Sequence, residues 1–488
     1  MTSQIRALDA IERFDVETDV LIAGLGGAGA CAAIEARRAG AEVIVLERAS
    51  AGGGSTMMSA CEMYLGGSGG TTLQRALGFS DTTENFRRYL MAAFGDHADE
   101  AKVRLFTEGA AEHFDWMEAL GVPYKRGFFP GRDVVALTGD SLQYTGNEQT
   151  LPFLAHAEAV PRGHLPADSG HRGGVTLMTT VIKRVEESGA DVRCDSRLVA
   201  LIQDRHGVVR GGVVRSDGRD TTVRARRGVV LTTGGFIMNE TMTREHIPEL
   251  EPVCTRHGNP NDNGDGILMG QAAGGNTIHM GEAFISICHY PPESLTFGIF
   301  VNEDGQRFVN EDAYLARVGH YAAQQPSPRI YMFIDEPHYA RPKYVVGTRV
   351  AATGETVAEV ETEAGLPEGA LQRTVARYNE HAAAGRDPDF EKAPRWLAPL
   401  TKPPFALVSY DLRHIKPAVF TLGGLDTLPT GEVLSAGRVP IGGLYAAGRA
   451  AAGIPRTSKG YASGMSVADA TFFGRQAGRT AATTRAED

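Results

Sequence analysis

The chain has 488 residues, of which 42% are hydrophobic and 22% charged, and its 49 Lys+Arg against 59 Asp+Glu leave a net charge of −10. Such a length supports a large core and two domains, while the acidic balance argues against a nucleic-acid partner, which needs a basic face. The longest basic run, 224–227, reads as a solvated strand edge, and five scattered cysteines without a CxxC pair suggest neither a disulfide framework nor a zinc site. A polar N-terminus and no apolar run of bilayer length predict a cytoplasmic protein without an integral membrane segment.

The first predicted unit runs from Asp19 to Glu47. A short apolar run, Val20 to Ala23, passes through Gly24, Gly26 and Gly29 into an Ala-rich helical stretch. A second apolar run, Val43 to Leu46, ends in Glu47. In such a βαβ unit Gly24 permits a tight turn, Gly26 lets backbone amides approach a pyrophosphate, and Gly29 lets helix and strand pack closely. The helix N-terminus favours the phosphates and Glu47 can accept hydrogen bonds from a ribose. The predicted cofactor contacts here are Gly24, Gly26, Gly27, Ala28, Gly29, Glu47 and Arg48.

A second Gly-rich loop follows, contributing Gly53, Gly54, Ser55, Thr56 and Ser59, with further glycines at 66, 67, 69 and 70. Glycines repeated beyond the acid are unnecessary for a nicotinamide and suit the longer arm of FAD. Two helices are predicted over 83–120, ending at Gly121-Val122-Pro123. The segment 127–174 has no sustained period and reads as a lid or site wall. Its His156, His164 and His171 lack metal-ligand spacing and read as solvated loop histidines.

Residues 175–230 predict a helix and then strands, with an Asp217-Gly218 hairpin turn, and 228–236 predict a buried strand returning to the nucleotide site at Gly234. Asp265 precedes a helical stretch, where an Asp is first of all an N-cap, and is also a candidate to place the flavin chain. Residues 281–401, with a strand at 330–334 and helices at 356–363 and 370–383, form the predicted second domain. It splits a first domain made of 1–280 and 402–488, whose final part supplies Ala447, Gly448, Gly464, Met465 and Ser466 to the cofactor.

Taken in order, GLGGAG with its following LE, then GGGST, LTTGG, NGDG, FVNEDGQRFVNE, TLGG and GLYAAG resemble the fumarate reductase and 3-ketosteroid dehydrogenase flavoproteins over nearly the whole chain. The resemblance implies an α/β fold: a Rossmann-like, glutathione-reductase-type FAD-binding domain interrupted by a smaller α+β catalytic domain. It also implies redox chemistry at a carbon–carbon bond beside a carbonyl. Flavinylated relatives carry a His in the second Gly-rich loop, where this chain has Ser55, Thr56 and Met57, so noncovalent FAD is implied. Fumarate reductases place an Arg and a His where Leu315 and Phe420 stand here, with Arg317 and Arg456 remaining as the nearest arginines. GLYAAG is followed by Arg449, where relatives usually have Glu.

The C-terminal GYASGMS is similar to the segment of 3-ketosteroid Δ4-(5α)-dehydrogenases, which implies a steroid substrate and the trio Tyr314, Tyr461 and Ser463. Removing an α proton requires donors aimed at the developing enolate oxygen, a role for Tyr461 and the amides of Gly464 and Met465. Ser463 would take the α proton, relayed through Tyr314 or helped by a depressed tyrosine pKa, while the β hydride leaves for flavin N5. Without such a role Ser463 would be an ordinary N-cap of the last helix. Δ1 desaturation, a soluble fumarate or enoate reductase and a redox module without turnover remain as alternatives, and the electron acceptor stays unknown.

Overall fold

The computed structural model describes residues 4–167 and 170–485. Its largest sheet has nine strands. At the centre Val16–Ala23 lies between Arg219–Leu231 and Val43–Leu46, all parallel, and Asp191–Arg193 extends the sheet beyond Val43–Leu46. Pro440–Ala446 pairs in parallel with the last residues of Arg219–Leu231. Continuous apolar runs suit strands covered on both faces, and Val20, Leu21 and Ile22 are fully buried.

The register brings Ala23, Leu46, Leu231 and Ala446 to one level. The residues that follow, Gly24, Glu47, Thr232 and Ala447, therefore leave the sheet along its carboxyl edge, where ligands of such sheets bind. Above that edge the helix Gly27–Arg38 packs on the long C-terminal helix Met465–Thr483 through small residues. A Cβ on Gly474 would sit 2.3 Å from the Ala28 carbonyl oxygen, and one on Gly478 would sit 2.2 Å from that of Ala32.

The hairpin predicted at Asp217-Gly218 is present between Val209–Ser216 and Arg219–Leu231. Its second strand and the buried strand expected at 228–236 are one element, bent by a bulge between Ala225 and Gly228. The basic run 224–227 is thus on an interior strand, not an edge. Arg226 pairs with Asp19 at 3.0 Å and with Glu42, which neutralises it.

A second, four-stranded antiparallel sheet orders Ile299–Asn302, Ile330–Asp335, Phe405–Ser409 and Arg349–Gly354. Helices Val357–Ala364 and Ala370–Ala383 stand where their periodicity predicts them. The strand Phe405–Ser409 lies inside this sheet, beyond the boundary expected at 401, because the Pro-rich stretch before it leads back to the same sheet. Between the two sheets Ala418–Thr421 pairs with both Thr255–Arg256 and Ala283–Ser286. No helix among the described residues is long and apolar enough to cross a membrane.

Candidate active site

A cavity of about 540 Å³ opens at the carboxyl edge of the large sheet and reaches the paired strands Ala283–Ser286 and Ala418–Thr421. Its walls include Gly24, Gly26, Gly27, Ala28, Glu47, Arg48, Gly54, Ser55, Thr56, Ser59, Gly234, Asp265, Gly448, Gly464 and Ser466. Tyr314, Tyr461 and Ser463 line the same space, so residues from both ends of the chain meet there. Gly29, Gly53, Ala447 and Met465, also expected at the cofactor, stand one layer back.

The glycines divide by function. Gly29 is a packing residue, since a Cβ there would lie 1.9 Å from the Gly24 carbonyl oxygen. Gly24 has φ +108°, and a Cβ would meet the Thr232 carbonyl at 2.5 Å. Gly26 differs: an added Cβ would come no nearer than 3.9 Å to other protein atoms. Packing does not demand glycine at 26; the methyl would instead occupy the cavity wall, where a ligand's phosphates need close approach. That cradle fits a dinucleotide.

Glu47 is 8% exposed and accepts from the amides of Leu25 at 3.0 Å and Ala49 at 2.9 Å. Two backbone donors hold the carboxylate at the strand end and leave it acceptor capacity for ribose hydroxyls. Gly53 stabilises the turn by donating to Leu25 at 2.8 Å, and the Gly27 amide donates to the Thr56 hydroxyl at 3.2 Å. Ser59 closes its own turn by donating to Thr56 at 2.8 Å, and Ala447 donates to Leu231 at 3.1 Å. The Gly53–Leu25 and Gly27–Thr56 contacts brace the two Gly-rich loops against each other.

Three expectations need correction. Asp265 is not an N-cap: Gly264 holds that position, and the Asp265 carboxylate pairs with Arg48 at 3.2 Å and Arg197 at 2.6 Å. The Met465 amide is not free for an enolate, because it donates to Ala462 at 3.2 Å. His164 is fully buried rather than solvated, bonded to Thr71 Oγ1 at 2.9 Å and the Arg162 carbonyl at 2.7 Å, and burial lowers its pKa to about 4. His156 is exposed, as is His171, which lies at the cavity wall.

Parts of the segment 127–174 wall the site: Val134, Val135 and His171 line the cavity, Thr145 accepts from the Ser463 amide at 2.8 Å and Asn147 Oδ1 accepts from the Tyr314 amide at 2.9 Å. The last helix is capped at Gly464, in the left-handed region, with no side-chain cap bond. Ser463 is therefore not spent as an N-cap. Tyr461 donates to Ser466 Oγ at 2.9 Å and accepts from the Ser466 amide at 3.2 Å. A carbonyl in the cavity could replace Ser466 Oγ as the acceptor while the helix amide still donates to the phenol oxygen, strengthening the phenol as a donor.

Tyr461 sits edge-on to Phe284 at 4.7 Å, and Phe284 stacks on Phe420 at 4.5 Å. Leu315 and Phe420 both line the cavity, which makes this end apolar where a fumarate site carries Arg and His. Of the arginines that might replace them, Arg456 pairs with Asp99 at 2.9 Å and Arg317 lies over Phe153 and Tyr321; neither is on the cavity wall. Arg449 is on the wall, but Asp262 pairs with it, and the same carboxylate accepts from Ser55 Oγ at 2.6 Å.

No tyrosine pKa is depressed at this site. Burial pushes Tyr461 up to about 12, and burial with Tyr290 and Tyr461 nearby holds Tyr314 well above the usual range, opposed by a hydrogen bond with Ser463. Two wall residues escaped the sequence reading. Asp262 carried no local motif; Glu62, an acid inside the apolar run CysGluMetTyrLeu, offered a signal in its placement, and burial raises its pKa to about 8.

The sequence matches the model of the FAD binding domain family over residues 19–464. Among solved structures, 3-ketosteroid-Δ4-(5α)-dehydrogenase from Rhodococcus jostii RHA1, in complex with 4-androstene-3,17-dione, is 40% identical with a TM-score of 0.92, covering 98% of this chain and 100% of that one. A probable fumarate reductase of Shewanella frigidimarina is 30% identical over 478 residues, 95% of this chain and 75% of the relative. The 3-oxo-5-alpha-steroid 4-dehydrogenase of Comamonas testosteroni is 24% identical over 499 residues, 88% of this chain and 92% of that protein. With the glycine cradle, Glu47 and this likeness in agreement, the chain belongs to the FAD-binding family of fumarate reductase and 3-ketosteroid dehydrogenase flavoproteins, and it is an FAD-dependent oxidoreductase.

Proposed function

We propose that this chain desaturates a 3-oxo-5α-steroid between C4 and C5, using noncovalent FAD. The observation that carries the reading is the junction of Tyr314, Tyr461 and Ser463 with a wall of Phe284, Leu315 and Phe420 in one cavity. A fused apolar ring system suits that wall, and a ketone suits the donor beside it. Beside Phe420 a dicarboxylate would meet Arg449, which is already paired with Asp262, and an unpaired buried carboxylate costs several kcal/mol. Likeness to the Rhodococcus and Comamonas enzymes supports the same choice.

FAD, when bound, supplies a two-electron acceptor for the β hydride. Gly26, Gly27, Ala28 and the N-terminus of Gly27–Arg38 would hold its pyrophosphate, and Glu47 its ribose. Asp265 acts indirectly, by fixing Arg48 and Arg197 at the cavity wall. Gly464 and Ser466, at the start of the last helix, turn that helix's positive end to the cavity, where it would favour negative charge on a bound flavin. Ser55, Thr56 and Met57 offer no imidazole for a covalent link. We read the scaffold as a Rossmann-like, glutathione-reductase-type domain interrupted by an α+β catalytic domain that extends through Phe405–Ser409.

In the reaction Tyr461 donates to the C3 carbonyl, which lowers the cost of enolate formation at C4. Ser463 accepts the C4 proton, and Tyr314, which lines the same cavity, orients the hydroxyl. The apolar wall of Phe284, Leu315 and Phe420 would exclude water from a bound steroid.

Anaerobic mixing of the yellow protein with 5α-androstane-3,17-dione, androst-4-ene-3,17-dione and succinate tests the reading through flavin bleaching. Bleaching by the first steroid alone is expected. Bleaching by the second moves the assignment to Δ1 chemistry, bleaching by succinate moves it to the fumarate branch, and no bleaching by any leaves a flavin-binding module.

A further inference from the structure

Ser463 is a poor base, so a proton it takes from carbon must be handed on as it arrives. Tyr314 and Tyr461 are poor destinations, since their phenols stay protonated throughout the working range. A carboxyl lines the same cavity as that serine. Glu62 lines the cavity and is 3% exposed. Its segment is fastened to Gly464, the residue after Ser463, by the Tyr64 amide, which donates to the Gly464 carbonyl at 3.2 Å. The two chains touch so closely that a Cβ on Gly464 would lie 2.9 Å from the Glu62 carbonyl carbon.

Several buried carboxylates in this chain have cationic partners: Asp81 pairs with Arg162 at 2.7 Å, and Glu311 with Arg307 at 2.7 Å and Lys392 at 3.2 Å. Glu62 is different. Its Oε1 accepts from Gln143 Nε2, and its Oε2 has no hydrogen-bond partner among the described residues. The charged group acting on it is a second buried acid, Glu148, while the nearby Ser463 hydroxyl favours its ionised form. A purely structural acid would be better replaced by glutamine or leucine in such a place.

We propose that Glu62 is the proton acceptor behind Ser463. As the C–H bond α to the ketone breaks, its proton passes to Ser463 Oγ, and the Ser463 hydroxyl proton passes to Glu62 Oε2. The bond's electron pair enters the enolate held by Tyr461 and forms the new double bond as the β hydride leaves for the flavin. The products are enone, reduced cofactor and protonated Glu62. The proposal rests on the desaturase reading above, and Glu62 acts through Ser463.

Burial raises the Glu62 pKa to about 8, helped by Glu148 and opposed by Ser463 and Gln143; Tyr314 is the other titratable group coupled to it. Only the ionised form accepts a proton, so about a tenth of the enzyme is competent at pH 7, and α-proton removal rises with pH until it levels above about 8. The folded pKa lies above the unfolded one, so wild-type stability is lost as pH climbs from the ordinary glutamate range through about 8.

Holoenzyme reduced with dithionite, which can no longer take a hydride, isolates this step. With 5α-androstane-3,17-dione in D2O, deuterium uptake at C4 reports α-proton removal. Wild type is expected to show the rising limb. Glu62→Gln should be at least about tenfold slower at pH 8, without that limb, and should gain melting temperature relative to wild type at pH 9 compared with pH 5. Gln143→Met, which deletes the donor to the carboxylate, should move the limb to higher pH. An unchanged limb in Glu62→Gln overturns the proposal; if that variant is isolated without flavin, an unmoved limb in Gln143→Met does so. Oxidised wild type that no steroid bleaches overturns the desaturase reading and this proposal with it, a result distinct from a bleaching enzyme with an unchanged limb.

Discussion

Tyr461→Phe is expected to lower steroid turnover by about 10²- to 10³-fold, the usual cost of removing one donor to a developing oxyanion. Flavin content should be unchanged, because the phenyl ring keeps its edge contact with Phe284 at 4.7 Å and its place beside Phe420. The hydroxyl's structural bond is modest: it accepts from the Ser466 amide at 3.2 Å, and the loss of such a contact costs about 1 kcal/mol. A fall in kcat with little change in KM, measured by anaerobic bleaching and steady-state rates, would place the hydroxyl's work in the transition state. Wild-type rates in this variant would remove Tyr461 from the mechanism.

Gly29→Ala is expected to be among the most damaging small substitutions in the nucleotide domain. Its methyl would stand 1.9 Å from the Gly24 carbonyl oxygen and 2.7 Å from Thr232 Oγ1. The first neighbour is backbone in a turn that itself requires φ +108°, so no side-chain rotation relieves the clash. Helix and strand must separate, at a cost of about 3 kcal/mol or more, and the Gly26–Ala28 amides move with the helix. Purified protein should lack flavin absorbance and melt several degrees lower. A yellow protein with wild-type melting temperature would show that the turn can relax. Gly26→Ala is the informative partner: it should fold normally and lose FAD affinity, because its methyl meets the cavity rather than the protein.

The Gly24–Glu47 unit was legible because its logic is local: turn, helix and acid follow one another within a single βαβ unit. The helices 357–364 and 370–383 were legible for the same reason, through their periodicity. Contacts between distant segments were not. Asp262 meets Arg449 only after the second sheet has been crossed, and nothing near either residue announces the pair. The strand Phe405–Ser409 looked like the start of the returning domain because the Pro-rich stretch before it resembles a linker, yet its partners are Ile330–Asp335 and Arg349–Gly354. Asp265 matched the composition of a cap, but Gly264 already satisfies that position by its left-handed backbone. The trio at 314, 461 and 463 was reached through family likeness, since a tyrosine or serine beside glycines carries no catalytic signature of its own.

The close seating of Met465–Thr483 on Gly27–Arg38 also sets the order in which this molecule can mature. The glycine cradle is made early in synthesis, but its facing helix emerges from the ribosome after the whole second sheet. Until then the small-residue face of Gly27–Arg38 has no partner, and a nascent chain cannot enclose the flavin. Cofactor enclosure therefore depends on long-range contacts, because both helices must be in place before the cavity wall is complete.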